Sequence, residues 1–399
     1  MTTIDDFLLD KFGPENIMVF RNPVVQLKGF VVVDSSLNGI PMGGIRIAPD
    51  ITLNEVIRLA RTMTLKASFF KIPIGGAAAG IKTDPRGDNK KLMVQSFAES
   101  IRTLIREDIY YPEPGLGSND DDIEAILKLS GKPELIPKQI GLFKYDIPLK
   151  KNYVGLGAGY CLQTVYEKLN NFKDSNDHIK WNDPPTILLE GFGRAGSEFA
   201  KHIDKLGYRL LGVSTIKGAI FDENGLNVPK LLSLKEKFGD ELVNHYESKT
   251  LEKFDKAKFF EKSSDYSVDF MVPGARPDAI NKSNIDKIDT KAIIPISKIP
   301  YQQEILETLY GSDILTFPEF VSNAGNILSF SSRKKSKSNV SVDEHIKNKI
   351  IEKTLGILKE SKKKGIPCYQ YAKRKAIKNL ENKMERRQKH IRKLEKEEY

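Results

Sequence analysis

The chain has 399 residues, 40% of them hydrophobic and 29% charged, which excludes a disordered or bilayer-embedded protein and leaves enough chain for two cores. Its formal net charge of +10 is unevenly spread: Gln370–Tyr399 holds eleven Lys+Arg against five Glu, so the remainder carries only about +4 and the basic excess belongs to a tail. The two cysteines, Cys161 and Cys368, lack disulfide-framework or metal-ligand spacing, and no metal site is expected.

Met1-Thr-Thr-Ile-Asp-Asp6 carries early acids without a basic or apolar leader pattern, and runs such as Phe30–Val33 are too short to span a bilayer. A cytoplasmic location without membrane contact is expected. Along the first ~150 residues, strand-like runs (Val24–Val33) alternate with helical ones. Val56, Leu59, Ala60, Met63 and Ala67 give Asn54–Phe69 an amphipathic helical pattern, and Met93, Phe97, Ile101 and Leu104 give Lys91–Arg106 another. The Pro/Lys-rich stretch Ile136–Lys151 reads as a domain boundary.

A βαβ unit follows. Thr186-Ile-Leu-Leu-Glu190 reads as a buried strand, then comes Gly191-Phe192-Gly193-Arg194-Ala195-Gly196. A helix through Phe199, Ile203 and Leu206 ends at Gly207, and Arg209–Ser214 is the next strand. A GxGxxG seated between strand and helix predicts dinucleotide binding, because its glycines admit a pyrophosphate to the helix N-terminus. A glycine turn that only packs is the bland alternative. Val268–Val272, Ala292–Ile296 and Ile314–Phe317 read as further strands, and Gln302–Tyr310 as a helix. Near the end, Ile377, Leu380, Met384, Ile391 and Leu394 follow helical spacing, compatible with a short coiled coil.

Several tracts together resemble the Glu/Leu/Phe/Val (amino-acid) dehydrogenase family. They are Gly43-Gly-Ile-Arg46, Glu55–Lys66, Pro73-Ile-Gly-Gly-Ala-Ala78-Ala-Gly-Ile81, Thr83-Asp-Pro85, Gly191–Gly196 and Pro318-Glu-Phe-Val-Ser-Asn323-Ala-Gly325, in the family's order from about residue 15 to 360. The resemblance implies an α/β chain with three parts. A substrate and oligomerisation domain covers 1–150 and a Rossmann-like NAD(P) domain 151–330. C-terminal helices at 331–399 return to the first domain and end in a basic tail.

The family's reaction is NAD(P)-dependent oxidative deamination of an L-amino acid to a 2-oxo acid and ammonia. It needs a lysine and an aspartate that handle protons beside the substrate α-carbon. The resemblance sets the lysine at Ala78 and the aspartate at Gly115 (Pro112-Glu113-Pro-Gly115), and neither residue can move a proton. Glu113, Lys71 and Lys82 are the nearby substitutes. For substrate binding the resemblance implies Met42, Gly43, Gly44, Lys66 and Asn323, with Lys66 on the α-carboxylate and Met42 favouring an apolar side chain. Arg46 supports the Gly43–Gly44 turn. For the cofactor it implies Gly191, Phe192, Gly193, Arg194, Ala195 and Gly196, with Thr215 where a ribose-binding acid is usual. Lys217 beside it tilts the expectation slightly toward NADP, or toward weak binding. Lys298 stands where the family has an asparagine facing the nicotinamide.

Three readings follow. The first is a catalytically dead or impaired family member that binds amino acid or 2-oxo acid and serves as a regulatory or structural subunit. Its assembly would be a homo-oligomer or a hetero-oligomer with an active paralogue. The second is an active dehydrogenase on an apolar amino acid using displaced acid/base residues. The third is a scaffold whose basic tail, with Arg333–Lys337, binds nucleic acid or an acidic partner.

Overall fold

A computed structural model describes residues 10–133, 152–170, 180–331 and 341–397. The expected boundary at Ile136–Lys151 and the basic run Arg333–Lys337 both lie outside them. The described residues fall into two compact units, one within Met1–Asp146 and Lys373–Tyr399, the other within Ile147–Ala372.

The first unit runs β1 (Asn16–Asn22), β2 (Leu27–Ser35), β3 (Pro41–Ile47), α1 (Leu53–Phe70), β4 (Gly75–Ile81), α2 (Lys90–Ser100), α3 (Arg102–Arg106), β5 (Tyr111–Pro114) and α4 (Asp120–Leu129). The strands form one sheet in the order β1-β2-β4-β3-β5. β3 lies parallel to both β4 and β5, while β2 is antiparallel to β1 and β4. Thr52 caps α1 by accepting the Glu55 amide at 3.2 Å, and the helix ends at Lys71 in a left-handed conformation (φ 56°). Ala77, Ala79 and Ile81 join a core with Ile45, Phe97, Ile101, Ile123 and Leu127, so one face of the sheet is closed by α2 and α4.

The second unit opens with α5 (Tyr153–Asn170), β6 (Thr186–Glu190), α6 (Arg194–Lys205), β7 (Arg209–Thr215), β8 (Gly218–Asp222), α7 (Val228–Phe238), α8 (Leu242–His245) and β9 (Leu251–Phe254). It continues with α9 (Lys262–Asp265), β10 (Phe270–Pro273), β11 (Ala292–Ile293), α10 (Leu306–Tyr310), β12 (Leu315–Thr316), α11 (Glu319–Ser322), α12 (Gly325–Ser331) and α13 (Val342–Lys364). The sheet order is β12-β11-β10-β6-β7-β8-β9. β6 is parallel to both neighbours, β7 and β10. The chain runs one way from β6 to β7 and later returns to its other side, so the end of β6 is the switch point where ligands of open α/β sheets sit.

The last helix, α14 (Cys368–Glu397), belongs from Lys373 onward to the first unit. There Ala376 and Leu380 are buried, and the Ala376 carbonyl accepts the Ser68 hydroxyl of α1 at 2.6 Å. Ile391 and Leu394, which continue that apolar stripe, are 47% and 46% exposed. No helix among the described residues is long and apolar enough to cross a membrane.

Local differences from the sequence expectations have simple causes. The helix expected at Lys91–Arg106 is broken at Ile101 (φ −99°, ψ 7°); one residue outside the helical region leaves the apolar spacing nearly in phase, so periodicity does not register the break. The strand expected at Val24–Val33 is β2, starting at Leu27 after a hairpin from β1. The run Ala292–Ile296 keeps only two ladder residues, since Pro295 lacks the N–H that a ladder requires. The helix expected at Gln302–Tyr310 begins as a 3₁₀ turn at Gln303–Ile305.

Candidate functional site

In the first unit the glycine tract becomes β4, buried along its whole length, and its register decides which side chains share a surface. Met42 pairs with Gly76 and with Tyr111; Gly44 pairs with Glu113 and Ile45 with Ala79. Strand alternation then puts Met42, Ala78 and Glu113 on one face, opposite the core formed with α2 and α4. A Cβ added at Gly76 would meet Thr64, and one at Gly80 would meet Val56, so this face looks onto α1. Ala78 is 1% exposed. Glu113 stands level with it two strands away, roughly 10 Å between backbones, and the residue between them is Gly44.

Gly115 follows β5 and is held against β3. Its N–H donates to the Ser118 hydroxyl at 2.7 Å, and that hydroxyl donates to the Ile45 carbonyl at 2.6 Å. A Cβ at Gly115 would fall 2.5 Å from the Ile45 oxygen, a distance that forces the loop to move. Gly43 offers its carbonyl to the buried Tyr110 hydroxyl at 2.9 Å. Burial, with the Glu113 charge added, pushes the Tyr110 phenol well above its ordinary value.

Lys66 is buried at 4% exposure. An ammonium at such a position requires compensating negative charge or acceptors. Arg46 forms an ion pair with Glu55, joining β3 to the first turn of α1. Lys71 and Lys82 are exposed, one beyond α1 and the other beyond β4.

In the second unit the three glycines of the 191–196 loop have different duties. Gly191 has φ +86°, a Cβ at Gly196 would sit 1.9 Å from the Gly191 carbonyl oxygen, and one at Gly193 would meet nothing within 4 Å. The first permits the turn, the third lets the helix approach the strand, and the second leaves open space at the first turn of α6. That open space beside helix N–H groups is what a pyrophosphate requires, so the loop fits a dinucleotide. Phe192 is buried, while Arg194 and Ala195 begin α6.

Side chains distant in sequence support this loop. Lys235 of α7 donates to the Phe192 carbonyl, and to the Ser197 hydroxyl at 2.9 Å. Burial pushes its ammonium down to about 8, with Lys201 and Arg194 adding to the effect and Asp240 opposing it. Glu190 accepts the Gly274 and Ala275 amides, both at 3.2 Å. Its burial still outweighs those donors and raises its pKa. Periodicity and the glycine spacing carry no sign of either residue, because their partners are remote in the chain.

At the end of β7, the Thr215 hydroxyl donates to the Asp240 carbonyl at 2.8 Å and accepts the Lys217 amide at 3.1 Å. Lys217 Nζ pairs with Glu241 Oε1 at 2.7 Å. The lysine expected to attract a 2′-phosphate is therefore engaged by an acid. Near the end of β11, Asn323 donates to the Ser297 carbonyl at 3.0 Å. Asn323 Oδ1 and Ser297 Oγ are buried without a hydrogen-bond partner among the described residues. Lys298 follows directly. Among the described residues no cluster of His, Cys, Asp or Glu could hold a metal.

The family model for Glu/Leu/Phe/Val dehydrogenase, dimerisation domain, matches residues 14–130, and that for Glutamate/Leucine/Phenylalanine/Valine dehydrogenase matches 148–388. The chain belongs to the Glu/Leu/Phe/Val dehydrogenase family.

Relatives within and around this family agree. NADP-specific glutamate dehydrogenase of Saccharolobus shibatae is 26% identical over 72% of this chain and 66% of its own length. Glutamate dehydrogenase of Thermotoga maritima is 26% identical over 79% of this chain and 75% of its own. Among solved structures, the hetero-hexameric glutamate dehydrogenase of Thermus thermophilus in its Leu-bound form superposes with a TM-score of 0.76. It is 22% identical, over 94% of this chain and 90% of that one. The α/β fold with a Rossmann-like sheet and helical C-terminus is thus the family's.

Proposed function

We propose that this chain binds a nicotinamide dinucleotide and an amino acid or 2-oxo acid on the family's scaffold, without performing the family's proton transfers. It then serves as a regulatory or structural subunit of an oligomer, either of its own kind or with an active paralogue. The observation that carries this reading is the packing at the two positions the resemblance assigns to the proton-handling pair. Ala78 is buried on the face toward α1, and Gly115 is pressed against the Ile45 backbone.

On this reading, the open turn at Gly193 and the first N–H groups of α6 hold the pyrophosphate. Bound there, the dinucleotide supplies a hydride acceptor. Lys66 holds a substrate carboxylate, as the resemblance implies, and Met42 gives the pocket an apolar wall. In the second unit Asn323, whose buried Oδ1 has no hydrogen-bond partner among the described residues, can accept from a ligand N–H. No group at 78 or 115 can activate water or shuttle a proton. The Thermus relative is a hetero-hexamer with leucine bound, which supports a mixed assembly and an amino-acid ligand here.

The deciding experiment has two arms. Ligand-dependent thermal stabilisation of the full chain tests binding, because a ligand of the native state raises its melting temperature whether or not chemistry follows. Assay of NAD(P)-dependent oxidation across the amino acids tests catalysis. Binding without turnover is expected, and clear turnover would sink the reading.

A second reading, an active dehydrogenase, is favoured by one observation. Glu113 and position 78 share a sheet face with Gly44 between them, so the intervening strand puts no side chain into the lane at that level. Turnover that disappears in Glu113→Gln would establish it. The basic α14 has no comparable observation pointing to a nucleic-acid partner.

A further inference from the structure

We propose that the adenosine end of the dinucleotide site is built for a ribose with a free 2′-hydroxyl, with Asp240 and Glu241 as the residues that select NAD over NADP. This rests on the dinucleotide reading above and names which of the two cofactors that site takes.

In a Rossmann-like unit, the end of the strand after the glycine loop meets the adenosine ribose. An acid there accepts from the ribose hydroxyls and repels a 2′-phosphate. Position 215 holds a threonine, which by itself removes that repulsion. Its hydroxyl does not remain available as a donor, however, because it is given to the Asp240 carbonyl at 2.8 Å. The same contact ties the short 3₁₀ turn Gly239–Glu241 to the end of β7. Two consecutive acids from a segment some 25 residues downstream are thereby delivered to the corner that lost its own acid.

The lysines at this corner are engaged internally. Lys217 Nζ meets Glu241 Oε1 at 2.7 Å, and Glu241 also accepts the Asn244 side-chain amide at 2.6 Å. Lys235 is turned toward the loop, where it donates to the Phe192 carbonyl and the Ser197 hydroxyl, and it lies within electrostatic range of Asp240. A 2′-phosphate brings a charge of about −1.5 to −2 at neutral pH. To be held, it would have to take Lys217 from Glu241 and leave that carboxylate beside a dianion. A neutral 2′-hydroxyl makes no such demand and can donate to a carboxylate or carbonyl of the turn.

The test uses the full chain and titrates NAD⁺ and NADP⁺ separately by calorimetry, with melting temperature as a second readout. The wild type should bind NAD⁺ more tightly, by about tenfold or more. Glu241→Lys should reverse or erase that preference chiefly by strengthening NADP⁺ binding, and Glu241→Gln with Asp240→Asn should narrow it. The Glu241 side chain is 42% exposed, and circular dichroism verifies that its single variants keep the fold. Equal or preferential NADP⁺ binding by the wild type overturns the proposal, as does an unchanged ratio in folded Glu241→Lys. Failure to bind either nucleotide overturns the dinucleotide reading, and this one with it, and is distinguishable from a wrong preference.

Discussion

Gly115 and Ile45 are in backbone contact: a Cβ at 115 would lie 2.5 Å from the Ile45 carbonyl oxygen. The loop after β5 is thus closed onto β3, and a longer side chain cannot simply be accommodated at 115. Gly115→Ala and Gly115→Asp should each destabilise the fold by about 1–3 kcal/mol, the usual cost of overpacking. Urea denaturation with an unchanged m-value would measure it. Wild-type stability in Gly115→Asp would show that the loop moves aside freely.

Ala78→Lys tests the lane across Gly44. A lysine there reaches toward Glu113, whereas in Glu113→Gln it would have no carboxylate on that face at the same level. The two substitutions should couple, with an interaction energy of about 0.5–3 kcal/mol in a double-mutant cycle. Additive effects on the unfolding free energy would mean that the two side chains do not meet.

The glycine loop predicts a separation of stability from binding. Gly196→Ala places a methyl against the Gly191 carbonyl and should cost stability, about 1–3 kcal/mol. Gly193→Ala enters open space and should leave stability within about 1 kcal/mol, yet weaken dinucleotide binding about tenfold. Paired melting and titration curves read both. Equal binding by Gly193→Ala and wild type would remove the pyrophosphate from that turn.

His202 of α6 stacks edge-on against Tyr160 of α5 at 4.6 Å and meets the Gln163 side chain at 3.2 Å. Burial, with Lys205 and Lys347 adding to it, pushes its pKa down to about 4 from an ordinary 6.5. Between those values the unfolded chain binds the proton and the native one does not, so stability should fall as pH drops from about 6.5 toward 4. In His202→Gln the unfolding free energy should depend less steeply on pH across that window. An identical slope would show that another group carries the titration.

Much of the fold was legible because it is local. Apolar spacing of three and four marked α1, and the strand–glycine–helix order marked β6, the loop and α6. The collinear tracts pointed to the family. The break at Ile101 escaped because it barely changes the phase of the apolar face. β1 escaped because its burial alternates weakly between half-buried and exposed positions. The site was legible only as a set of positions. Glu113 could be suspected from its closeness in sequence to Gly115, while Lys235, Glu190, Asp240 and Glu241 left no pattern that spacing could reveal.

By itself, then, the sequence determined the alternation of elements, the glycine loop and the residues at 78, 115 and 215. Tertiary structure decided what surrounds those residues. Sheet register sets Glu113 level with Ala78 across a glycine, and the turn at Gly239–Glu241 brings two acids to Thr215. Both depend on hydrogen bonds between segments far apart in the chain, whose partners are selected by the packing of whole elements rather than by any local period.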